Sequence, residues 1–174
     1  AMTKRLLAMG WNVSGVSRSD SPLRDEGYER PVADVGDVTY PGVVTELVSG
    51  APVDLCVYCA GIGEPLDLLE MDDEVRIIDV NLTGMVRTAA AVIPPMVGRG
   101  SGHFIGLSSL ADELLSAEAP SYHASKAGFS NYLEGLARAL RPKGVSVTNV
   151  RFGFVDTKMA KGDVKPFMMS VEKA

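Results

Sequence analysis

Short runs of β-branched and aromatic residues, bounded by Gly, Pro or Asp, alternate along this chain with longer stretches whose apolar positions recur every three or four residues. The runs WNVSGVS (residues 11–17), VDLCVYC (53–59), GHFIGLSS (102–109) and VSVTNVRF (145–152) predict strands, and RPVADV (30–35) a further short one. Helical periodicity predicts helices over residues 2–9, closed by Gly10, over 41–49, from 72 to about 96, and over 121–140. Strand and helix in alternation predict one α/β domain over residues 1–174, doubly wound, with a mostly parallel sheet and helices on both faces.

Within the third helix, VRIIDVNLTGMVRTAAAVI (75–93) is apolar on nearly every face. That predicts packing on the sheet on one side and on a second copy of the chain on the other. The next helix adds Phe129, Tyr132, Leu133, Leu136 and Leu140, so a two-fold pairing of these helices in a homodimer or homotetramer is expected. With 174 residues, 46% hydrophobic and 22% charged, the chain is of a size and composition to bury one core. Its net charge is -5 and its 17 Lys and Arg are dispersed, so no basic stripe invites nucleic acid or an anionic membrane. No uninterrupted apolar run reaches the roughly 18 residues of a membrane span, and the first residues lack a signal-peptide pattern, which makes a cytoplasmic setting the expectation. The cysteines of LCVYC have a redox or zinc spacing. On a strand, however, residues three apart point to opposite faces about 10 Å apart, too far for a disulfide. Neither His103 nor His123 has a metal-type spacing to them, and a packing role is expected.

The chemistry concentrates where open α/β sheets bind ligands, at the carboxyl ends of the strands. Asn81 is a polar residue inside the apolar helix, Ser109 ends the strand FIGLSS, and Tyr122 and Lys126 begin the next helix in YHASKAG. Tyr122 and Lys126, at i and i+4, share a helical face about 6 Å apart. A phenol near pKa 10 is a poor acid or base at neutral pH, and lowering it by about 3 units takes roughly 4 kcal/mol of preferential stabilisation of the phenolate. A neighbouring ammonium supplies part of that. A Tyr-x-x-x-Lys pair alone carries little weight; with Ser109 thirteen residues upstream and Asn81 before it, the constellation points to proton transfer. Ser108 alternates to the opposite face of its strand. GLSSL lacks the second Gly of a nucleophile elbow and runs into a loop, which argues against a serine hydrolase.

The segments CAGIGEP, DVNLTG, IGLSS, YHASKAG and VRFGFVDTKM, in this order and spacing over nearly the whole chain, resemble the short-chain dehydrogenases/reductases. The resemblance implies a Rossmann-type fold, a nicotinamide cofactor, and catalytic roles for Asn81, Ser109, Tyr122 and Lys126. Tyr122 would exchange a proton with a carbonyl or alcohol oxygen as hydride moves to or from carbon, Ser109 would hydrogen-bond that oxygen, and Lys126 would lower the tyrosine pKa and hold the nicotinamide ribose. Asn81, through a kinked helix and a water, would connect the lysine to solvent.

Ser17 and Arg18 stand where an NAD enzyme of this kind usually carries a carboxylate, so NADP is expected and NAD disfavoured, with Asp20 two residues on as a counter-argument. Asp34 and Val35 would meet the adenine, Cys59, Ala60 and Gly61 would let the backbone approach the cofactor, and Gly153, Val155 and Thr157 would hold the nicotinamide. Two departures from the family pattern are Tyr58-Cys59-Ala60-Gly61 in place of Asn-Asn-Ala-Gly, which loses an amide that ties strands together, and Phe152 in place of Pro. The family's first strand and Gly-rich turn do not occur in these 174 residues, which also end at what reads as the start of a helix. We therefore expect a piece of a longer protein, with weak cofactor binding and exposed strand edges. The resemblance leaves two other functions open: a non-catalytic nucleotide-binding protein, or a lyase, isomerase or epimerase that uses Tyr122 for proton transfer. LADELLSAEAP (110–120) should line the site entrance, and residues 158–174 should form part of a lid.

Overall fold

A computed structural model describes residues 2–155 and 168–170. In chain order the elements are α1 (Met2–Ala8), β1 (Val13–Ser14), β2 (Tyr28–Glu29), α2 (Tyr40–Gly50), β3 (Leu55–Tyr58), α3 (Asp72–Ile78), α4 (Gly84–Arg99), β4 (Gly102–Ser109), α5 (Pro120–Leu140) and β5 (Val145–Phe152). Between α3 and α4 the helix does not break but widens into a π-helical turn, Asp79–Thr83. Single 3₁₀ turns follow β4 (Leu110–Glu113) and α5 (Arg141–Lys143).

All described strand pairs are parallel, as connections through helices require. β3, β4 and β5 form one sheet in that order, and β1 and β2 a second, smaller one. Among the described residues β3 pairs only with β4 and β1 only with β2, so each has an edge without a partner strand. The small sheet is tied to the larger one by packing: Val16, Ala33 and Val35 all rest on the main core. The predicted strand over 30–35 is displaced. The ladder lies at Tyr28–Glu29, and only a single bridge, Ser17 to Val32, survives beyond it. Pro31, which has no N–H to donate, interrupts the pairing between the two.

Alternation along β4 decides where the core lies. Phe104, Gly106 and Ser108 are buried against α4 and α5, while the intervening residues are half-buried on the other face. Phe104 and Phe129 are fully buried, with Met85, Ala89 and Met96 from α4 and Leu133 from α5 around them. The continuous helix Asp72–Arg99 is 28 residues long and apolar enough to cross a membrane by length and composition. Here its inner face is spent in this core instead. Of the α5 residues expected to seek a second copy, Phe129, Leu133 and Leu140 are likewise buried within the chain, and only Tyr132 and Leu136 remain half-buried.

Since Phe104 sits on the central strand between both helices with no solvent contact, Phe104→Ala should cost about 3–5 kcal/mol. Urea denaturation of the two proteins, compared at equal m-value, measures it.

Candidate functional site

Helix α5 begins at Pro120, whose fixed φ suits a first helical turn. The N–H of Ser121 donates to the Glu74 carboxylate of α3 at 3.2 Å, an anion placed at a helix N-terminus where the dipole favours it. This bond ties the two helices together just where Tyr122 and Lys126 leave the first turns of α5.

Lys126 is 6% exposed. Its Nζ donates to the Leu107 carbonyl of β4 at 3.1 Å and lies 5.9 Å from the centre of the Tyr122 ring and 5.1 Å from that of Phe129. Burial in this largely apolar setting pulls the ammonium down from the ordinary lysine value to about 8, while the Asp112 carboxylate works in the opposite direction. Asn81, on the π-helical turn, has no solvent exposure. Its side chain clasps the backbone of Ile62: Oδ1 accepts the Ile62 N–H at 2.8 Å and Nδ2 donates to the Ile62 carbonyl at 2.9 Å. Nδ2 also donates to Ser125 Oγ at 3.0 Å, and that hydroxyl donates to the Tyr122 carbonyl at 2.7 Å.

This clasp lays the loop after β3 along α5. A Cβ on Gly61 would stand 3.6 Å from Asn81 Oδ1 and 3.7 Å from Lys126 Nζ, and one on Gly63 would stand 2.9 Å from the Tyr122 ring. Asn81, Tyr122, Lys126 and Gly61 are therefore gathered at one place. Ser109 ends β4 two residues after Leu107, and its Oγ accepts the Ala111 N–H at 3.2 Å, capping the 3₁₀ turn and leaving its own proton free to donate. Ser108, as expected from alternation, turns the other way, with its Oγ 2.9 Å from that of Ser130.

At the other end of the expected cofactor groove, Ser17 and Arg18 are both exposed, and Ser17 Oγ donates to the Ser19 carbonyl at 2.6 Å. The Asp20 carboxylate is occupied by Arg24 and Arg30 at 3.0 and 2.8 Å. Asp34 Oδ1 accepts the Gly36 N–H at 3.0 Å, and Val35 and Ala60 pack on the core. Asp34 also borders an open cleft of about 480 Å³ walled by Asp37, Asp72, Asp79 and Arg76, which Tyr122 does not line. Cys59 lies one residue beyond β3, exposed, and both cysteines are free thiols. Burial pushes the Cys56 thiol up to about 12. Gly153 follows β5 next to Leu110, and Val155 bridges to Met169. Thr157, and most of residues 158–174, lie outside the described residues.

Two features were not visible in the sequence. In the acidic loop after Ser109 the Asp112 side chain is 4% exposed and accepts from Ser130 and Arg151, while Glu113 pairs with Arg151 at 2.7 Å. Burial alone would raise the Asp112 carboxyl, but the hydrogen bonds from Arg151 and Ser130 hold it below the usual value. Of the three acids expected at the entrance, Glu118 is the one that stays exposed without such a pairing. The second feature is Tyr58, whose hydroxyl donates to the Val80 carbonyl at 2.5 Å. Its only sequence signal was its departure from the family pattern.

With this geometry established, comparison with known proteins is specific. Residues 1–166 match the family model described as short chain dehydrogenase. An uncharacterized oxidoreductase of Staphylococcus saprophyticus is 35% identical over 163 residues, covering 90% of this chain and 70% of the relative. One from Myxococcus xanthus is 40% identical over 126 residues, covering 70% of this chain and 50% of the relative. Among solved structures, a short-chain dehydrogenase from Streptomyces avermitilis superposes with a TM-score of 0.81 at 26% identity, covering 95% of this chain and 65% of that one. The closed form of serine dehydrogenase complexed with NADP+ gives 0.77 at 26% identity, covering 88% and 66%. The chain thus spans between half and about seven-tenths of the length of these proteins.

A buried ammonium is a burden on folding, and its pH dependence follows. Below about pH 8 Lys126 is charged in both the folded and unfolded chain, and the burial cost is carried in full. As pH rises from about 8 toward the ordinary 10.5, the folded chain sheds the proton first and the cost is relieved. Lys126→Met should therefore raise stability at pH 7 by roughly 1–3 kcal/mol, with the gap narrowing by pH 10. Denaturant titrations at the two pH values test this, and a variant less stable than the parent at pH 7 would contradict it.

Proposed function

Because the chain belongs to the short-chain dehydrogenase family, we propose that it serves as an NADP(H)-dependent oxidoreductase that interconverts a carbonyl and an alcohol, with Tyr122 as general acid and base. The observation that carries this reading is the buried Lys126 ammonium, 5.9 Å from the Tyr122 ring and held on the Leu107 carbonyl.

The residues present suit a nicotinamide cofactor. The Gly61 backbone, bare of a Cβ, borders the Lys126 ammonium, which can donate to ribose hydroxyls. In this reading Asp34 and Val35 meet the adenine, and Gly153 and Val155 serve the nicotinamide side, together with Thr157, which lies outside the described residues. Arg18 is exposed at the ribose end, and Asp20 is already engaged by two arginines. The carboxylate two residues beyond Arg18 is thus already paired, which supports NADP over NAD.

A bound nicotinamide supplies the hydride in reduction and takes it up in oxidation. The chain's own residues handle the proton. Tyr122 holds it at Oη and delivers it to the carbonyl oxygen as that oxygen gains charge. Ser109, whose Oγ already accepts from Ala111, donates its O–H to the same oxygen. Lys126, protonated at neutral pH and poorly solvated, favours the phenolate left behind. Asn81 fixes the loop that borders Tyr122 and Lys126 and, through the widened helix, offers a route for reprotonation. We include in this reading a cytoplasmic setting and a two-fold pairing, the latter supported by the exposed Leu68, Leu69, Met71 and Val75 before and on α3. Sedimentation at micromolar concentration tests the pairing, and a monomer would refute it.

Tyr122→Phe should lower turnover on a panel of carbonyl substrates by about 10² to 10⁴ without weakening NADPH binding. Arg18→Ala should weaken NADPH about tenfold, a loss of roughly 1.4 kcal/mol, and leave NADH unchanged. Fluorescence titration with each cofactor and NADPH oxidation assays read both effects. Equal affinity of the parent for NADH and NADPH would overturn the cofactor assignment, and full activity in Tyr122→Phe would overturn the proton assignment.

A further inference from the structure

The residue at the end of β3 has no part in the chemistry above, yet it reaches the segment that positions Asn81. In the π-helical turn the Gly84 N–H bonds to the Asp79 carbonyl, five residues back, so the Val80 carbonyl loses the donor that an α-helix would give it. The Tyr58 hydroxyl donates to that carbonyl at 2.5 Å. It does so in a slot that only glycine leaves open: a Cβ on Gly84 would lie 2.6 Å from Tyr58 Oη and 3.2 Å from the Val35 carbonyl. The Tyr58 side is rigid, 4% exposed and tilted against the Phe129 ring at 6.1 Å between centroids. A second tyrosine braces the following turn: Tyr40 Oη lies 2.7 Å from Thr88 Oγ1, and Thr88 Oγ1 donates to the Gly84 carbonyl at 2.7 Å. Asn81 is the residue next to Val80, and its clasp on Ile62 depends on the direction the turn gives it.

We propose that Tyr58 is a positioning residue, whose hydroxyl holds the helix in its widened turn and thereby sets the Asn81 side chain on the Ile62 backbone. The phenol suits this role because burial pushes its pKa well above the ordinary value, leaving it a permanent donor. The catalytic consequence rests on the oxidoreductase reading, but the placement of Asn81 does not, and the test separates the two.

The readout is amide hydrogen exchange of the intact chain, followed at Ile62, whose N–H is held by Asn81 Oδ1. Tyr58→Phe removes one oxygen and keeps the ring. Ile62 should then exchange about tenfold faster or more, equivalent to roughly 1.4 kcal/mol of lost local protection, while amides in the middle of β4 and β5 keep their parent rates. Gly84→Ala, which crowds the hydroxyl from the other side, should give the same local signature, and adding Tyr58→Phe to it should give less than the sum of the two. Unchanged Ile62 protection in Tyr58→Phe overturns the proposal. So does a uniform loss across β4 and β5, which would make Tyr58 a packing residue only. Should Tyr58→Phe fail to fold, Gly84→Ala decides alone by the same two criteria. NADPH-dependent activity does not enter the criterion, so the proposal and the oxidoreductase reading can fail separately.

Discussion

The carboxamide of Asn81 is buried without solvent contact, and a buried amide left unpaired would cost on the order of 1–3 kcal/mol per unmet group. The structure meets the demand by giving it the backbone of Ile62 on both sides and the Ser125 hydroxyl as a third partner. That solution fixes more than one residue. It joins the loop after β3 to the middle of the α3–α4 helix and to the start of α5, three elements far apart in sequence. The glycines at 61 and 63 then run close to Lys126 and Tyr122 because the intervening residue is held by its own peptide. Without the clasp, the loop would have no reason to choose this path over the others open to glycine.

Around that fixed point the electrostatics are set by exclusion of water. Lys126 finds one carbonyl, two ring faces and a carboxylate at longer range, which is little compensation for a lost hydration shell. A group so placed is a poor contributor to stability and a good one to proton chemistry, and such conflicts collect at functional sites. The buried carboxylate of Asp112 is treated differently. Arg151 and Ser130 pair it, and Asn149 and Ser108 complete the set of bonds to Ser130. The network fastens the 3₁₀ turn after Ser109 to β5 and α5, so the serine at the mouth of β4 is held from the far side while its own proton stays free.

Much of this arrangement was legible in the chain. β4 and β5 have the limits their patterns indicate, because each is an eight-residue run paired along its whole length. Tyr122 and Lys126 come together as their spacing implied, since i and i+4 on one helix is a local fact, whereas Asn81 joins them from another helix through Ile62 and Ser125. The short strands were less legible. Two residues each at β1 and β2 carry almost no periodic signal, and Pro31 decides where their pairing stops. The pairing of the acids after Ser109 was not legible, because composition does not say that Arg151, 39 positions away, will meet Asp112. A distortion of the helix at Asn81 came only from the family resemblance: DVNLT itself has good helical periodicity, and the widening at 79–83 shows only in the hydrogen bonds.

The departure at Tyr58 shows how a fold can change the means and keep the result. An amide at the end of β3 can tie neighbouring strands only over its own short reach. A phenol at that position extends past the strand edge, across the space above Gly84, to a carbonyl in the helix. It is therefore suited to act on the helix and not on the sheet. The exchange demands two further conditions, a glycine opposite the hydroxyl and an aromatic neighbour to keep the ring still, and Gly84 and Phe129 meet them. Each residue is ordinary by itself. Together they allow a strand end to govern a helical turn, and through that turn the loop on which Tyr122 and Lys126 depend.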